Sequence, residues 1–215
     1  MRTAIAAGLG VLALVLSSSP ATADPLWDSA VKHASDGLTW RPAEVAVVAR
    51  AFTQGNETGR EEMWYVVKDQ QTPAAVMTKH LVNGQTSDEG VGQTVPLGNL
   101  YPATQPLFDP ANQSSIRVER EGEDEIDGVK TVVFRFWMDA LEGRAWLEAA
   151  KGYPLRARYV AGRLPAGTTS ALTELTFAVD SAYAAHTQAI VTTVEITPQD
   201  PAAASKFVTS FSFAP

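Results

Sequence analysis

Two periodicities divide the chain. From Asp24 to Gly37 the apolar residues Trp27, Ala30, Val31 and Ala34 recur at helical spacing, behind an Asp24-Pro25 start and ahead of a closing glycine. An aspartate that can cap and a proline at the first helical position predict one amphipathic helix of about three turns. Beyond Gly37 the period shortens to two. Runs rich in β-branched and aromatic residues predict strands near Ala43–Phe52, Glu61–Lys68, Ala75–Val82, Ser115–Glu121, Lys130–Met138, Arg144–Glu148, Leu155–Val160, Ala171–Asp180, Gln188–Thr197 and Lys206–Phe213. Asn83-Gly84, Asp127-Gly128, Glu142-Gly143 and Lys151-Gly152 supply turn chemistry between them. With connections this short the strands are antiparallel neighbours in one large meander.

Several strands are apolar on both faces. In Lys130–Met138 one face carries Val132, Phe134, Phe136 and Met138, and the other carries Val133 and Trp137 beside Thr131 and Arg135. Met63, Tyr65 and Val67 alternate with Trp64 and Val66, and the last strand sets Phe207, Phe211 and Phe213 on one side. A curved sheet that buries one side against helices or a ligand uses residues in this way, and so does a two-sheet sandwich. Periodicity alone leaves the two level. The segment Asn83–Ser114 departs from the pattern: four prolines and four glycines are mixed with Leu97, Leu100, Tyr101, Leu107 and Phe108. A loop this long with its own apolar residues reads either as a lid over the mouth of the sheet, with a helical turn around Leu97–Tyr101, or as an ordered surface loop anchored by those side chains.

Composition changes the picture at the N-terminus. Arg2, the apolar run Ile5–Leu16 and Ala21-Thr22-Ala23 have the three parts of a cleaved secretory signal over residues 1–23. The apolar run, about 12 residues, falls short of the roughly 20 needed to span a bilayer. A single domain over residues 24–215 remains, with residues 83–114 as the lid or long loop. Loss of Arg2 takes 17 basic residues to 16 against 24 acidic ones, a formal charge of −8. Such a chain repels nucleic acid and anionic head groups. With no cysteine, stability must come from the core, which a chain of this length can supply. The expectation is a periplasmic monomer, or an extracellular one in a host without an outer membrane, with no membrane-inserted segment.

Catalytic chemistry is hard to find. His33, His80 and His186 stand in no metal-ligand spacing and read as surface or packing residues. The chain has no G-x-S-x-G, S-x-x-K or H-E-x-x-H motif and no phosphate-binding glycine loop. In the acidic stretch Glu119–Asp127, the residues Glu123, Glu125, Asp127 and Gly128 imitate the start of a calcium loop. The twelfth position is Phe134 where a bidentate glutamate is required, so the stretch reads as a solvated hairpin tip. Acids are plentiful but none are singled out as a glycosidase pair. Trp64, Trp137 and Trp146 sit within strands, where packing is the commoner role than a sugar platform. No catalytic residue, metal or cofactor is expected.

The sequence Asp127-Gly128-Val129-Lys130-Thr131-Val132-Val133-Phe134-Arg135-Phe136, followed by Gly143-Arg144-Ala145-Trp146-Leu147-Glu148 and Lys151-Gly152-Tyr153-Pro154-Leu155-Arg156, resembles the strand, strand and G-(Y/L)-P-L-(R/K) hairpin of the periplasmic lipoprotein-carrier superfamily, the LolA-like and RseB-like group. The close from Ala204-Ser205-Lys206-Phe207 to Phe213-Ala214-Pro215 is loosely similar as well. The resemblance implies a mainly β, α+β fold: a strongly curved antiparallel sheet of about ten strands forming an unclosed half-barrel, with the N-terminal helix and the lid over its concave face. It also implies a non-enzymatic carrier or binding protein for a lipid, lipoprotein or other amphiphile. Trp64, Val66, Phe134, Phe136, Trp146 and Phe211 are then the cavity candidates, and Leu97, Leu100, Tyr101 and Phe108 the lid candidates. Arg50 is the candidate for a basic residue that gates the cavity. The RseB-like side of the resemblance implies an alternative, an envelope sensor that regulates a membrane-anchored partner. An exported hydrolase is a third reading, and it requires a polar cleft with a perturbed carboxylate or histidine.

Overall fold

The computed structural model describes residues 24–37, 41–69, 74–100, 107–139, 141–162, 164, 166–177 and 189–214. The expected export segment, Tyr101, His186 and the end of the strand expected at Ala171–Asp180 lie outside them. Helix α1 spans Pro25–Gly37. Its start is the expected one: the Asp24 carboxylate accepts the Leu26 amide at 2.9 Å, meeting one of the donors a helix N-terminus leaves free, and its carbonyl accepts the Asp28 amide at 3.0 Å as the first bond of the helix.

Among the described residues twelve strands follow: β1 Glu44–Thr53, β2 Asn56–Asp69, β3 Ala74–Val82, β4 Gln85–Thr86, β5 Thr94–Pro96, β6 Ile116–Ile126, β7 Val129–Met138, β8 Leu141–Glu148, β9 Pro154–Ala161, β10 Thr168–Phe177, β11 Ala189–Pro198 and β12 Ser205–Ala214. A one-turn helix, α2, covers Leu97–Leu100, and 3₁₀ turns cover Pro110–Ser115 and Pro201–Ala203. The two strands beyond the expected ten are β4 and β5, too short to show a period. They build part of the segment read as a lid or loop.

All pairings are antiparallel, in the order β4-β3-β2-β1-β12-β11-β10-β9-β8-β7-β6, with β5 also on β3. The sheet is a meander joined where β12 pairs β1, and its path does not close. Gln54-Gly55, Asn83-Gly84 and Asp127-Gly128 each carry two successive positive φ angles, the conformation of two-residue hairpins whose twist matches the strands they join.

Two expected turns are corrected. Gly143 lies within β8, where a Cβ would stand 2.2 Å from the Arg158 carbonyl oxygen, so its role is close backbone approach. The acidic stretch is strand through Ile126, and only Asp127-Gly128 turns. The other glycine turn has a tertiary cause. Gly152 has φ +75°, and a Cβ there would lie 2.8 Å from the Leu26 carbonyl oxygen, which lets α1 dock while Ser29 Oγ donates to the Lys151 carbonyl at 2.8 Å.

Two cores form on the face that α1 covers, here the inner face. The first joins Trp27, Ala30 and Ala34 of α1 with Leu107, Phe108 and the inward residues of β7–β10. Trp27 meets Phe108 at 5.2 Å and Phe134 at 5.6 Å between ring centroids. Each large apolar side chain buried there contributes about 1.5–3 kcal/mol. The second joins Val45, Val47, Tyr65, Ala75, Leu97 and Phe213. The strand order links them: the chain leaves β5 at one side of the sheet and enters β6 at the other, with Leu97 and Leu100 packed in the second core and Leu107 and Phe108 in the first.

Candidate functional site

Register decides which side chains share a face. Phe134 opposes Ala145, Ala145 opposes Ala157, and Ala157 opposes Leu175, all inward. Continued across the sheet, the same parity brings Thr192, Val194 and Ile196 of β11 inward, with Phe207 and Thr209 of β12 and Ala49 and Ala51 of β1. Between the two cores, then, the inner face of β10, β11, β12 and β1 forms a strip about 14 Å across, from three strand spacings. Its side chains are half-buried, except Phe207, which is 45% exposed and opposes Val194 on one side and Ala51 on the other. Nothing inward-facing in the described part of the strip carries a charge. Glu61, opposite Ala49, stands exposed at its β2 border.

The sequence-derived residues do not share one space. Phe134 and Phe136 are fully buried in the first core, Phe136 against Tyr159 at 6.3 Å. Phe211 stacks on Phe213 at 6.5 Å and packs against the second core. Trp64, Val66 and Trp146 lie on the opposite, outer face: Trp64 under the Lys79 ammonium at 4.4 Å, Val66 opposite Glu44, and Trp146 donating to Asp124 Oδ2 at 3.0 Å. A doubly apolar strand cannot say which parity faces in, and for β2 and β8 the larger aromatic faces out. Arg50 is also on the outer face, over Phe52 and 4.0 Å from Glu57. Of the lid residues, Leu97 and Phe108 are buried and Leu100 is partly so, while Tyr101 lies outside the described residues. Phe207 was the residue to single out. Its spacing from Phe211 and Phe213 places it on their face, and the strand order, which the sequence does not show, sets it outside both cores.

The outer face is a ladder of charge and aromatic rings. Arg117, Arg135 and Arg144 pair with Glu119, Glu142 and Glu121, and both Arg117 and Arg135 lie over Trp137. Hydrogen bonding to Arg144 holds the Glu121 carboxyl below its usual range, and the Glu125 amide with the Trp146 indole does the same for Asp124. Burial pushes the phenols of Tyr65 and Tyr159 up, in Tyr159 against a hydrogen bond from Thr173. A groove of about 530 Å³ runs over Arg144, Trp146, Arg158 and Val160, and another of about 450 Å³ lies between α1 and β6. Among the described residues no group of three histidines or carboxylates is placed to hold a metal ion.

No family model and no curated protein matches the chain. Among solved structures it is similar to a LolA superfamily protein from Nitrosomonas europaea, at 12% identity over 87% of this chain and 93% of that one, with a TM-score of 0.44. A DUF1329 family protein from Desulfovibrio piger is similar at 13% identity over 87% and 90%, TM-score 0.45. The Pseudomonas aeruginosa MucA/MucB complex is similar at 12% identity over 88% and 99%, TM-score 0.30. With each TM-score below 0.5, these likenesses add no weight to what the strand order already establishes.

Proposed function

We propose that this chain is an exported, non-enzymatic binding protein of the bacterial envelope that holds the apolar part of a lipid, acylated protein or other amphiphile on the strip between its two cores. One observation carries the reading. Phe207 is left 45% exposed on β12, among uncharged inward-facing residues of the described strip, on the face that the rest of the fold uses for its cores. An acyl chain laid there gains about 0.8 kcal/mol for each methylene removed from water, and binding needs no covalent step. The signal-like residues 1–23 support export to the periplasm.

Native mass spectrometry of protein recovered from a periplasm without detergent tests this reading. A lipid or acylated species is expected to travel with the wild type and to be lost from Phe207→Asp, which leaves the circular dichroism spectrum and melting temperature in place because the side chain belongs to neither core. A wild type that stays bare after incubation with phospholipid and acylated peptide refutes it.

A further inference from the structure

Metal sites can be built from thioethers, and the fold brings two of them to a histidine. His80 of β3 is 6% exposed, and its Nδ1 lies 3.0 Å from the Glu89 carbonyl oxygen. A carbonyl only accepts, so in the neutral ring Nδ1 carries the proton and Nε2 is left as a bare lone pair. Nε2 is buried with no hydrogen-bond partner among the described residues, and a lone pair held there costs free energy until it is given one. Directly opposite His80 on β2, and opposite the core residue Val47 on the other side, stands Met63. Met77 joins them through a bulge. The register shifts between Trp64 and Tyr65, which makes Thr78 the extra residue of β3, so Met77 and His80, three apart, turn to one face instead of two. Both methionines are half-buried against the second core. The other two in the chain, Met1 and Met138, lie in the signal-like segment and on β7. The loop after β4 closes over the group: Glu89 accepts from His80, a Cβ on Gly90 would lie 3.3 Å from Met77 Sδ, and the Met77 backbone bonds Gln93 and Gly92 at 3.1 and 2.8 Å.

We infer that His80 Nε2, Met63 Sδ and Met77 Sδ form a binding site for copper(I). The donor set selects the ion. Thioethers are soft ligands that suit copper(I), and imidazole suits copper as well, whereas zinc takes thiolate, imidazole and carboxylate and calcium and magnesium take oxygen. The support behind the ligands is already in place. A metal-binding imidazole almost always donates its other N–H to a carboxylate, carbonyl or water, which fixes its tautomer and ring orientation, and the Glu89 carbonyl is that acceptor here. The Tyr65 hydroxyl donates to Met63 Sδ at 3.4 Å, and a thioether sulfur keeps a second lone pair for the metal. Methionine's three rotatable bonds let both sulfurs close on the ion. Glu61, two residues from Met63 on the same face of β2, stands exposed and offers a negative charge to an arriving cation. The step is coordination alone: copper(I) binds without changing oxidation state, and no proton leaves, because Nε2 is already bare. These residues belong to β2 and β3, outside the strip, so the inference is independent of amphiphile binding.

The test is an anaerobic NMR titration of the isotope-labelled exported protein with copper(I) supplied as its acetonitrile complex, followed at the imidazole nitrogens. The His80 Nε2 resonance is expected to shift and saturate at one copper(I) per chain, while the Nδ1 proton stays in place, and X-ray absorption of the loaded protein shows sulfur bonded to copper. Met63→Leu and Met77→Leu conserve volume and keep the circular dichroism spectrum. Each is expected to weaken copper(I) by about tenfold or more, measured by competition with the copper(I) chelator ferrozine, and Met138→Leu leaves the affinity unchanged. Zinc(II) at the same concentration leaves His80 Nε2 where it was. The inference fails if copper(I) does not move the Nε2 resonance, if either Met63→Leu or Met77→Leu binds as tightly as the wild type, or if zinc(II) moves Nε2 as copper(I) does.

Discussion

Gly143→Ala is the sharpest probe of how this sheet is assembled. Alanine ordinarily suits a strand better than glycine, by about 0.5–1 kcal/mol, so propensity alone predicts stabilisation. Packing predicts the reverse. The new Cβ would stand 2.2 Å from the Arg158 carbonyl oxygen, 2.6 Å from Tyr159 Cβ and 2.8 Å from the Phe136 ring. None of the three is the free end of a flexible side chain: the carbonyl belongs to β9, paired on both sides, and Phe136 is locked in the first core. Overpacking of this kind costs about 1–3 kcal/mol, and contact with paired backbone puts Gly143 at the upper end. With a urea slope of about 2–3 kcal/mol/M, a loss of about 3 kcal/mol lowers the unfolding midpoint by about 1–1.5 M. Gly122→Ala is the matched control, since nothing lies within 4 Å of its added Cβ and surface changes stay within about 0.5 kcal/mol. A Gly143→Ala midpoint at or above that of the wild type refutes the close-approach account of β8 and β9.

Other consequences are as open to measurement. Asp24→Ala removes the cap of α1 and is expected to cost about 1 kcal/mol, seen as a fall of about 2–4 °C in thermal unfolding; an unchanged melt shows that α1 is held by docking alone. Phe134→Ala should cost about 3–5 kcal/mol in urea unfolding, against less than about 1 kcal/mol for the exposed Phe207→Ala, and equal losses contradict the division into core and strip. Tyr65 and Tyr159 have raised pKa values when folded, so their contribution is intact below the usual tyrosine pKa of about 10. It is lost as pH rises from there through the folded values, because the unfolded chain ionises first. Tyr159→Phe should therefore flatten the fall in urea midpoint on the alkaline side, and an identical alkaline profile removes Tyr159 as its source.

Much of this architecture is legible in the sequence because it is local. The helix start depends on Asp24 and Pro25, the hairpins at Asn83-Gly84 and Asp127-Gly128 depend on residues that tolerate positive φ, and the long strands show their period directly. What escaped is decided by residues far apart in the chain. Glu142-Gly143 has the composition of a turn, yet the approach of β9 makes it strand. Trp64 and Trp146 are as large as anything in the cores, but on the outer face their neighbours Lys79, Asp124 and Arg156 give an indole a cation and an acceptor. Phe207 shares its parity with Phe211 and Phe213, and only the strand order shows that it falls between the cores.

That strand order also accounts for a strip at all. Eleven strands on the pairing path make a sheet about 48 Å wide at ordinary strand spacing, whereas a 13-residue helix is about 20 Å long. One helix can therefore cover less than half of the inner face. α1 is spent on β7–β10, where Ala145, Ala157 and Gly152 admit it closely. The other half receives Leu97 and Leu100 from the segment that joins β5 to β6, and the same segment delivers Leu107 and Phe108 back to α1. Phe207 falls in the stretch that neither α1 nor the β5–β6 segment covers, and its ring is left 45% exposed. An aromatic side chain held there, with Val194 and Ala51 opposite it, is the surface that the proposed amphiphile would cover.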